Sequence, residues 1–346
     1  MRLVRGQSKG TGPSLARAGL GLLGAGYRIG VGLRNWGYDR GWTRIERAAV
    51  PVVSVGNLTL GGTGKTPMVE YVARWARGRG LRAAILSRGY GQSEGLNDEG
   101  RVLEENLPDV PHLQGRDRAG LARIAVVELE SELLILDDGF QHRRLARDLD
   151  IVLLDALDPF GLGRVFPRGL LREPIGGLRR AGIVILSRGD LVSASDRAAI
   201  RRRAEHAAGP LAWAVARHAP LALIEEGAGE VALEELHGRK VAAFCGIGNP
   251  DGFRGTLEVL GVSPIGFRAY PDHHPYTASD LSDLAGWASG LGADLALTTQ
   301  KDLVKLRVGR LGAVPLRALR VGLEVIEGEA ALIDALDRIA AHPITE

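Results

Sequence analysis

The chain has 346 residues, of which 45% are hydrophobic and 25% are charged, and its formal net charge is +3. This size and composition predict a globular protein with two domains. The single cysteine, Cys245, excludes an internal disulfide and fits a reducing compartment, where ATP is also available. Because only 5% of the residues are aromatic and the charge is small, no nucleic-acid partner is indicated. Anionic substrates or lipid explain the basic excess better.

The first segment, residues 1–38, contains six basic residues and no acidic residue around the apolar stretch Leu15–Leu33. Its uncharged run, Ala18–Tyr27, is well short of the ~20 residues that span a bilayer. The pattern predicts an interfacial helix whose arginines contact anionic lipid head groups. A signal peptide and a helix packed on the protein's own core are the alternatives.

A short strand, Val52–Val55, then leads through a glycine-rich turn into a helical pattern. The turn consists of Thr59, Leu60, Gly61, Gly62, Thr63, Gly64, Lys65 and Thr66. Glycines allow consecutive backbone N–H groups to point at a phosphate where a helix begins. Lys65 supplies a positive charge for the β- and γ-phosphates and Thr66 a hydroxyl for Mg²⁺. The turn predicts a P-loop that binds ATP and Mg²⁺, although the strict motif has glycine at position 59. An ordinary glycine-rich turn is the alternative.

The segment Gly56–Pro67 resembles the loop of the tetraacyldisaccharide 4'-kinases of lipid A biosynthesis, a family that also has a residue other than glycine at that first position. Further segments resemble the family along nearly the whole chain: Ser87–Gly91, Gly115–Arg118, Gly169–Pro174, Cys245–Pro250, Asp272–His274 and Thr298–Leu306. The resemblance implies the transfer of a phosphoryl group from ATP to a lipid disaccharide.

Two carboxylates, Asp137 and Asp138, close an apolar run that predicts a buried parallel strand. In P-loop proteins such a strand lies beside the loop, and its carboxylate holds Mg²⁺ directly or through water. A strand-end aspartate that only caps a turn is the alternative. The family resemblance implies that Arg172 and Glu173 border the phosphates and the metal. The expected metal ligands are therefore Thr66, Asp137 or Asp138, and Glu173, with Arg172 on phosphate.

The polar stretch 91–115 has no clear periodicity and is predicted to be a long loop. It contains Asp98. The family resemblance implies that Asp98 pairs across a cleft with His273, from the loop Asp272–His274 of the second domain. In that role Asp98 accepts the proton of the attacking hydroxyl and His273 positions it. The alternative is that Asp98 is a solvated loop acid and His273 caps a turn. Adjacent histidines suggest a metal site, but no second His or Cys cluster supports one.

Strands that alternate with helices predict two α/β/α domains with mainly parallel sheets, the first of them like a P-loop NTPase, joined by a two-stranded linker. The expected divisions are a membrane-associating segment 1–38, a kinase domain 39–210, linker strands 211–225 and 318–326, and a second domain 226–317. A C-terminal helix within 328–346 is expected to pack back on the kinase domain.

Without the resemblance, the sequence predicts a nucleotide-binding α/β protein and favours a phosphotransferase. With it, the expected protein is a kinase of a tetraacylated glucosamine disaccharide 1-phosphate. We expect it at the cytoplasmic face of the bacterial inner membrane, peripheral or anchored by its N-terminus, with no obligate protein partner. The main alternative is a membrane-associated P-loop ATPase switch that acts through partner binding, but such switches carry a signature lysine where this chain has Leu60. An ATP-dependent ligase is a third possibility.

Overall fold

The structure, a computed structural model, describes residues 10–89 and 98–341, which form two compact units. Among these residues the first unit comprises 10–88, 110–217 and 325–341, and the second comprises 89, 98–109 and 218–324. Residues 1–9, 90–97 and 342–346 lie outside the described part of the chain. These ranges include the first three basic residues of the N-terminal segment, the end of the Ser87–Gly91 motif and the last residues of the expected C-terminal helix.

The helices and strands alternate along most of the chain. The helices are α1 (Thr11–Asp39), α2 (Lys65–Gly78), α3 (Asp98–Asn106), α4 (Arg118–Val127), α5 (Ala194–Ala208), α6 (Pro250–Val259), α7 (Ala278–Gly290), α8 (Gln300–Leu306) and α9 (Glu329–Ala340). The strands are β1 (Val52–Asn57), β2 (Ala83–Ser87), β3 (His112–Gln114), β4 (Leu133–Asp137), β5 (Leu149–Asp155), β6 (Ile183–Ser187), β7 (Trp213–Glu225), β8 (Gly229–Val231), β9 (Val241–Cys245), β10 (Gly266–Ala269), β11 (Leu295–Thr299), β12 (Arg310–Leu311) and β13 (Val314–Glu327).

The first unit is built on a parallel sheet in the order β7-β6-β5-β1-β4-β2-β3. Every residue of β1, β4, β5 and β6 is buried. Their Val-, Ile- and Leu-rich sequences suit strands of a parallel sheet, which is covered on both faces. The predicted parallel α/β fold is confirmed. Because β1 and β4 are neighbours, the P-loop after β1 and the carboxylates after β4 emerge at the same edge.

The second unit has its own parallel strands, in the order β10-β9-β11-β13. Short antiparallel partners extend it, β12 beside β13 and β8 beside β7. The chain passes between the units four times, and two of these connections run inside long strands, β7 across Arg217 and His218 and β13 across Glu324 and Val325. These boundaries fall within the stretches that we expected to be linkers.

Residues 98–114 differ from the predicted long loop, because they contain α3 and β3. Val102 and Leu103 of α3 and the following Leu107 are 5%, 1% and 0% exposed, so a short apolar stripe stabilises the helix within a polar sequence. Two side chains of α3 bond to α8, Arg101 to the Val304 carbonyl and Asn106 to Gln300. Residues 98–109, which we placed in the kinase domain, therefore belong to the second unit, whereas β3 belongs to the first.

The N-terminal segment forms one helix, α1, which is longer than the predicted Leu15–Leu33. Only Gly24 and Gly37 of α1 are buried, whereas Leu22 and Ile29 are 77% and 63% exposed. No helix in residues 10–89 or 98–341 is long and apolar enough to cross a membrane.

At the other end of the chain, α9 packs on the first unit. The indole of Trp75 and the guanidinium of Arg79 both donate to Asp337, at 3.2 and 2.6 Å. The phenol of Tyr71 donates to Glu329 at 3.2 Å. These contacts attach the returning chain to α2, the helix that follows the P-loop.

Candidate active site

The glycine-rich loop has the backbone of a phosphate-binding turn. Gly61 and Gly64 have φ of 116° and 91°, conformations that favour glycine. A Cβ on Gly61 or Gly62 would meet no atom within 4 Å, so open space lies beside the backbone there. Gly64 is the N-cap of α2, and Lys65 and Thr66 are its first residues. Backbone N–H groups at a helix start attract anions.

Buried polar side chains brace this loop. Asn57 donates to the hydroxyl of Thr63 at 3.0 Å, and Ser187 donates to the Thr63 carbonyl at 2.8 Å. Arg188 donates to the Gly62 carbonyl at 3.2 Å and forms a 2.5 Å ion pair with Asp155. Sequence reasoning missed these contacts, because Ser187 is the last residue of β6 and Arg188 follows it, more than a hundred residues beyond the loop.

A second segment pairs with the front of the loop and carries two predicted site residues. Leu60 donates its backbone N–H to the Leu170 carbonyl at 2.8 Å, and Arg172 donates its own to the Leu58 carbonyl at 2.7 Å. Thr59, the residue in place of glycine, forms an isolated bridge with Leu171. This pairing places Arg172 and Glu173 beside the P-loop.

Lys65, Asp138 and Arg172 form one charged cluster. Lys65 Nζ lies 3.7 Å from Asp138 Oδ1, and the Arg172 guanidinium donates to both Asp138 oxygens at 2.7 and 2.8 Å. Burial alone would raise the pKa of Asp138, but Lys65 and Arg172 outweigh it and hold this pKa below its usual range. Asp138 therefore stays ionised and holds Lys65 and Arg172 beside the P-loop.

Asp137 and Thr66 supply the oxygen atoms for which a divalent cation would be expected. Asp137 is the last residue of β4 and pairs in register with Val55 of β1, which leads into the loop. Thr66 follows Lys65 on α2, and Thr66 and Asp137 are 6% and 5% exposed. No group of three His, Cys, Asp or Glu residues in the described ranges could hold a metal ion. These donors fit Mg²⁺, which usually takes one or two protein ligands and completes its shell with phosphate and water.

Glu173, predicted to border the metal, accepts hydrogen bonds from three side chains. It is 1% exposed and accepts from Arg180 at 2.8 and 2.9 Å, from Asn35 at 3.2 Å and from Gln141 at 3.0 Å. Gln141 also donates to the Asn57 carbonyl at 3.0 Å. Glu173 thus connects α1 to the end of β1, and Asn35, Gln141 and Arg180 are site residues that the sequence did not reveal.

The predicted pair Asp98 and His273 is in contact. His273 Nδ1 lies 3.1 Å from Asp98 Oδ2, and the two side chains are 60% and 17% exposed. His273 has a φ of 57° and donates its backbone N–H to the Gly246 carbonyl at 3.2 Å. Both residues belong to the second unit, so the pair does not bridge two domains as we expected. The reason is that α3, which carries Asp98, packs on α8 of that unit.

A family model described as tetraacyldisaccharide-1-P 4'-kinase matches residues 16–341. The chain belongs to this family. A tetraacyldisaccharide 4'-kinase of Anaeromyxobacter sp. (strain K) is 45% identical over 351 residues, which cover 95% of this chain and 93% of that protein. The kinase of Anaeromyxobacter dehalogenans (strain 2CP-C) is 46% identical over 343 residues, or 93% of this chain and 90% of that protein.

A crystal structure of LpxK from Aquifex aeolicus in complex with ATP is similar over 94% of this chain and 99% of that one, with a TM-score of 0.72 and 31% identity. As a member of the tetraacyldisaccharide 4'-kinase family, the chain is a kinase that binds ATP, and both of these predictions are confirmed. The alternative of a partner-binding ATPase switch is not favoured.

Proposed function

We propose that this kinase transfers the γ-phosphoryl group of ATP to the 4'-hydroxyl of tetraacyldisaccharide 1-phosphate, a step of lipid A biosynthesis. Family membership over residues 16–341 supports the reaction. The structural observation that carries it is Lys65 at the start of α2, within 3.7 Å of Asp138 beside the P-loop. A cation fixed there stabilises negative charge on the transferring group.

The nucleotide half of the proposal uses residues of the first unit. Within residues 59–64, the amides other than that of Leu60, which donates to the Leu170 carbonyl, bind phosphate oxygens. Lys65 contacts the β- and γ-phosphates, and Arg172 stabilises charge on the group in transfer. Asp138 orients Lys65 and Arg172. Glu173 acts through its contacts with Asn35, Gln141 and Arg180, which fix the wall of the site.

Mg²⁺ is the proposed cofactor, and Thr66 and Asp137 are the residues that would hold it, with Asp138 and Glu173 acting only through water. Bound there, the ion neutralises part of the phosphate charge. Asp138 is a weaker candidate for direct contact, because its oxygens already accept from Arg172.

The acceptor half of the proposal uses Asp98 and His273. An attacking hydroxyl must lose its proton, and a carboxylate becomes an effective base when a neighbour orients it and shares the proton. With Asp98 ionised, His273 Nδ1–H donates to Asp98 Oδ2 across the observed 3.1 Å. The proton of the 4'-hydroxyl then passes to Asp98 as the oxygen attacks phosphorus.

We further propose that α1 lies on the anionic surface of the inner membrane. Leu15, Leu22, Leu23, Ile29 and Leu33 are each more than 60% exposed, which is unusual for leucine and isoleucine in a folded chain. A pocket of about 470 Å³ adjoins α1, and Arg28, Arg164 and Arg168 line it. None of its described lining residues is acidic. Apolar side chains beside arginines suit the boundary between acyl chains and phosphate head groups.

The decisive experiment is the mass of the product after incubation with ATP, Mg²⁺ and the tetraacylated disaccharide 1-phosphate. A gain of one phosphate at the 4'-position supports the kinase, whereas ATP hydrolysis without change in the lipid contradicts it.

The proposed base is tested by alanine substitution of Asp98 and His273, singly and together. Residues that act as one unit lose rate non-additively. We therefore expect the double variant to be about as slow as the slower single variant. A double loss that equals the product of the two single losses would show that they act independently.

A further inference from the structure

A partly buried lysine of α8, Lys305, contacts the proposed base. Lys305 Nζ lies 3.7 Å from Asp98 Oδ2 and 2.9 Å from Asp302 Oδ1, and its side chain is only 11% exposed. The same Asp98 oxygen lies 3.1 Å from His273 Nδ1. One carboxylate oxygen of the proposed base therefore has a fixed cation on one side and an imidazole on the other.

Asp302 holds this lysine in place. It is 0% exposed, and its Oδ2 accepts from the backbone N–H of Gly246 at 2.9 Å and from the hydroxyl of Thr299 at 2.7 Å. The carbonyl of Gly246 in turn accepts the backbone N–H of His273. Asp302 thus fixes both neighbours of Asp98, Lys305 through an ion pair and His273 through the Gly246 turn.

We propose that Lys305 is a positioning residue for the phosphoryl transfer, which keeps Asp98 directed at His273. The inference rests on the proposed role of Asp98 as base. Lys305 itself neither gives nor takes a proton in the reaction. Because Lys305 forms one ion pair with Asp98 and another with the buried Asp302, it prevents the Asp98 carboxylate from rotating away from His273.

The chain provides a matched control one turn earlier on the same helix. Lys301 Nζ lies 2.7 Å from Glu99 Oε1, and both of these side chains are 30% exposed. Glu99 is the neighbour of Asp98 on α3. The Lys301–Glu99 pair therefore joins the same two helices through a carboxylate other than that of the proposed base.

The test compares Lys305→Met with Lys301→Met in the full chain, with kcat, the KM for ATP and the urea midpoint measured for each. We expect Lys305→Met to lower kcat roughly 10- to 100-fold with little change in the KM for ATP. Lys301→Met should keep kcat within about twofold. Equal losses of kcat in the two variants would indicate that Lys305 only joins α3 to α8, and would overturn the proposal.

A second comparison separates positioning from a structural role. Methionine leaves Asp302 buried without its cation, so Lys305→Met can also destabilise the second unit. In an Asp98→Asn background, however, a residue that acts through Asp98 has nothing left to position. We expect Lys305→Met to cause no further loss of kcat there. A loss as large as in the wild-type background would refute the proposal.

Rescue supplies an independent check. Treating Lys305→Cys with 2-bromoethylamine restores an ammonium group at nearly the length of lysine, and Cys245 is protected because it is 0% exposed. We expect kcat to recover after this alkylation, and no recovery would count against the proposal. If Asp98→Asn alone leaves kcat unchanged while the wild type phosphorylates its acceptor, the base assignment and the role of Lys305 both fail, although the kinase activity stands.

Discussion

His142 is expected to make the stability of the first unit depend on pH. It follows β4 and is partly buried, and its Nε2 is enclosed with no hydrogen-bond partner in the described part of the chain. Burial first, and then the positive charges of Arg118 and Arg147, lower the pKa of His142 from 6.5 to about 4. The folded protein therefore keeps this imidazole neutral at a pH where the unfolded chain protonates it.

The direction and size of the effect follow from this difference. As the pH falls through 6.5 the unfolded chain takes up a proton, whereas folded His142 does so only near 4. Its contribution to the free energy of unfolding is therefore complete above pH 6.5 and is lost between 6.5 and 4. Relative to neutral pH, the loss is about 1.4 kcal/mol at pH 5.5 and about 2.5 kcal/mol at pH 4.5.

The assay is urea denaturation of the wild type and of His142→Gln at pH 7.5 and pH 5.5, because glutamine removes the titrating group. The wild type should lose about 1.4 kcal/mol more than the variant between these two pH values. His206→Gln is the control, since His206 is exposed on α5 of the same unit and should leave the wild-type response unchanged. If the wild type and His142→Gln lose the same free energy, His142 does not titrate differently in the two states.

Three further perturbations test other parts of the first unit. Lys65→Ala should lower turnover by at least about a thousandfold, which corresponds to roughly 4 kcal/mol of transition-state stabilisation. The urea midpoint should stay close to wild type, because Asp138 keeps its ion pair with Arg172. Near-normal turnover would contradict the P-loop assignment. Gly56→Ala should lower the free energy of unfolding by roughly 1–3 kcal/mol or more, because the new Cβ would lie 2.6 Å from Phe140 Cβ. The control is Gly78→Ala, where a Cβ meets nothing within 4 Å. Equal urea midpoints for the two variants would argue against this clash. Deletion of residues 1–38 should abolish sedimentation with anionic vesicles at low salt, and undiminished sedimentation would place the membrane contact elsewhere.

The parts of the site that the sequence predicted are those in which function depends on neighbours in the chain. The glycines of the P-loop, Lys65 and Thr66 form a single turn, so their spacing alone predicts a phosphate site. Asp137 and Asp138 were found by a similar local signal, a buried apolar strand that ends in acid. Because β1 and β4 are neighbours in a parallel sheet, the loop after β1 lies beside the carboxylates at the end of β4.

The parts that the sequence did not reveal depend on contacts between distant segments. Gln141, Arg180 and Asn35 all bond to Glu173, yet Asn35 lies 138 residues before it. None of these side chains belongs to a recognisable motif, and each would read as an ordinary polar surface residue. α3 was missed for a related reason, since its short apolar stripe becomes a helix face only when it packs on another helix.

The assignment of Asp98 to the second unit changes how the proposed proton transfer is organised. α3, the Gly246 turn, the loop with His273 and α8 all meet within one unit, so the distances from Asp98 to His273 and Lys305 are set by that unit's own packing. A base held within hydrogen-bonding reach of its partner needs no rearrangement of the pair itself before the reaction. Substitutions among these residues should therefore act on kcat and leave ATP affinity unchanged, whereas substitutions around Lys65 and Arg172 should affect both.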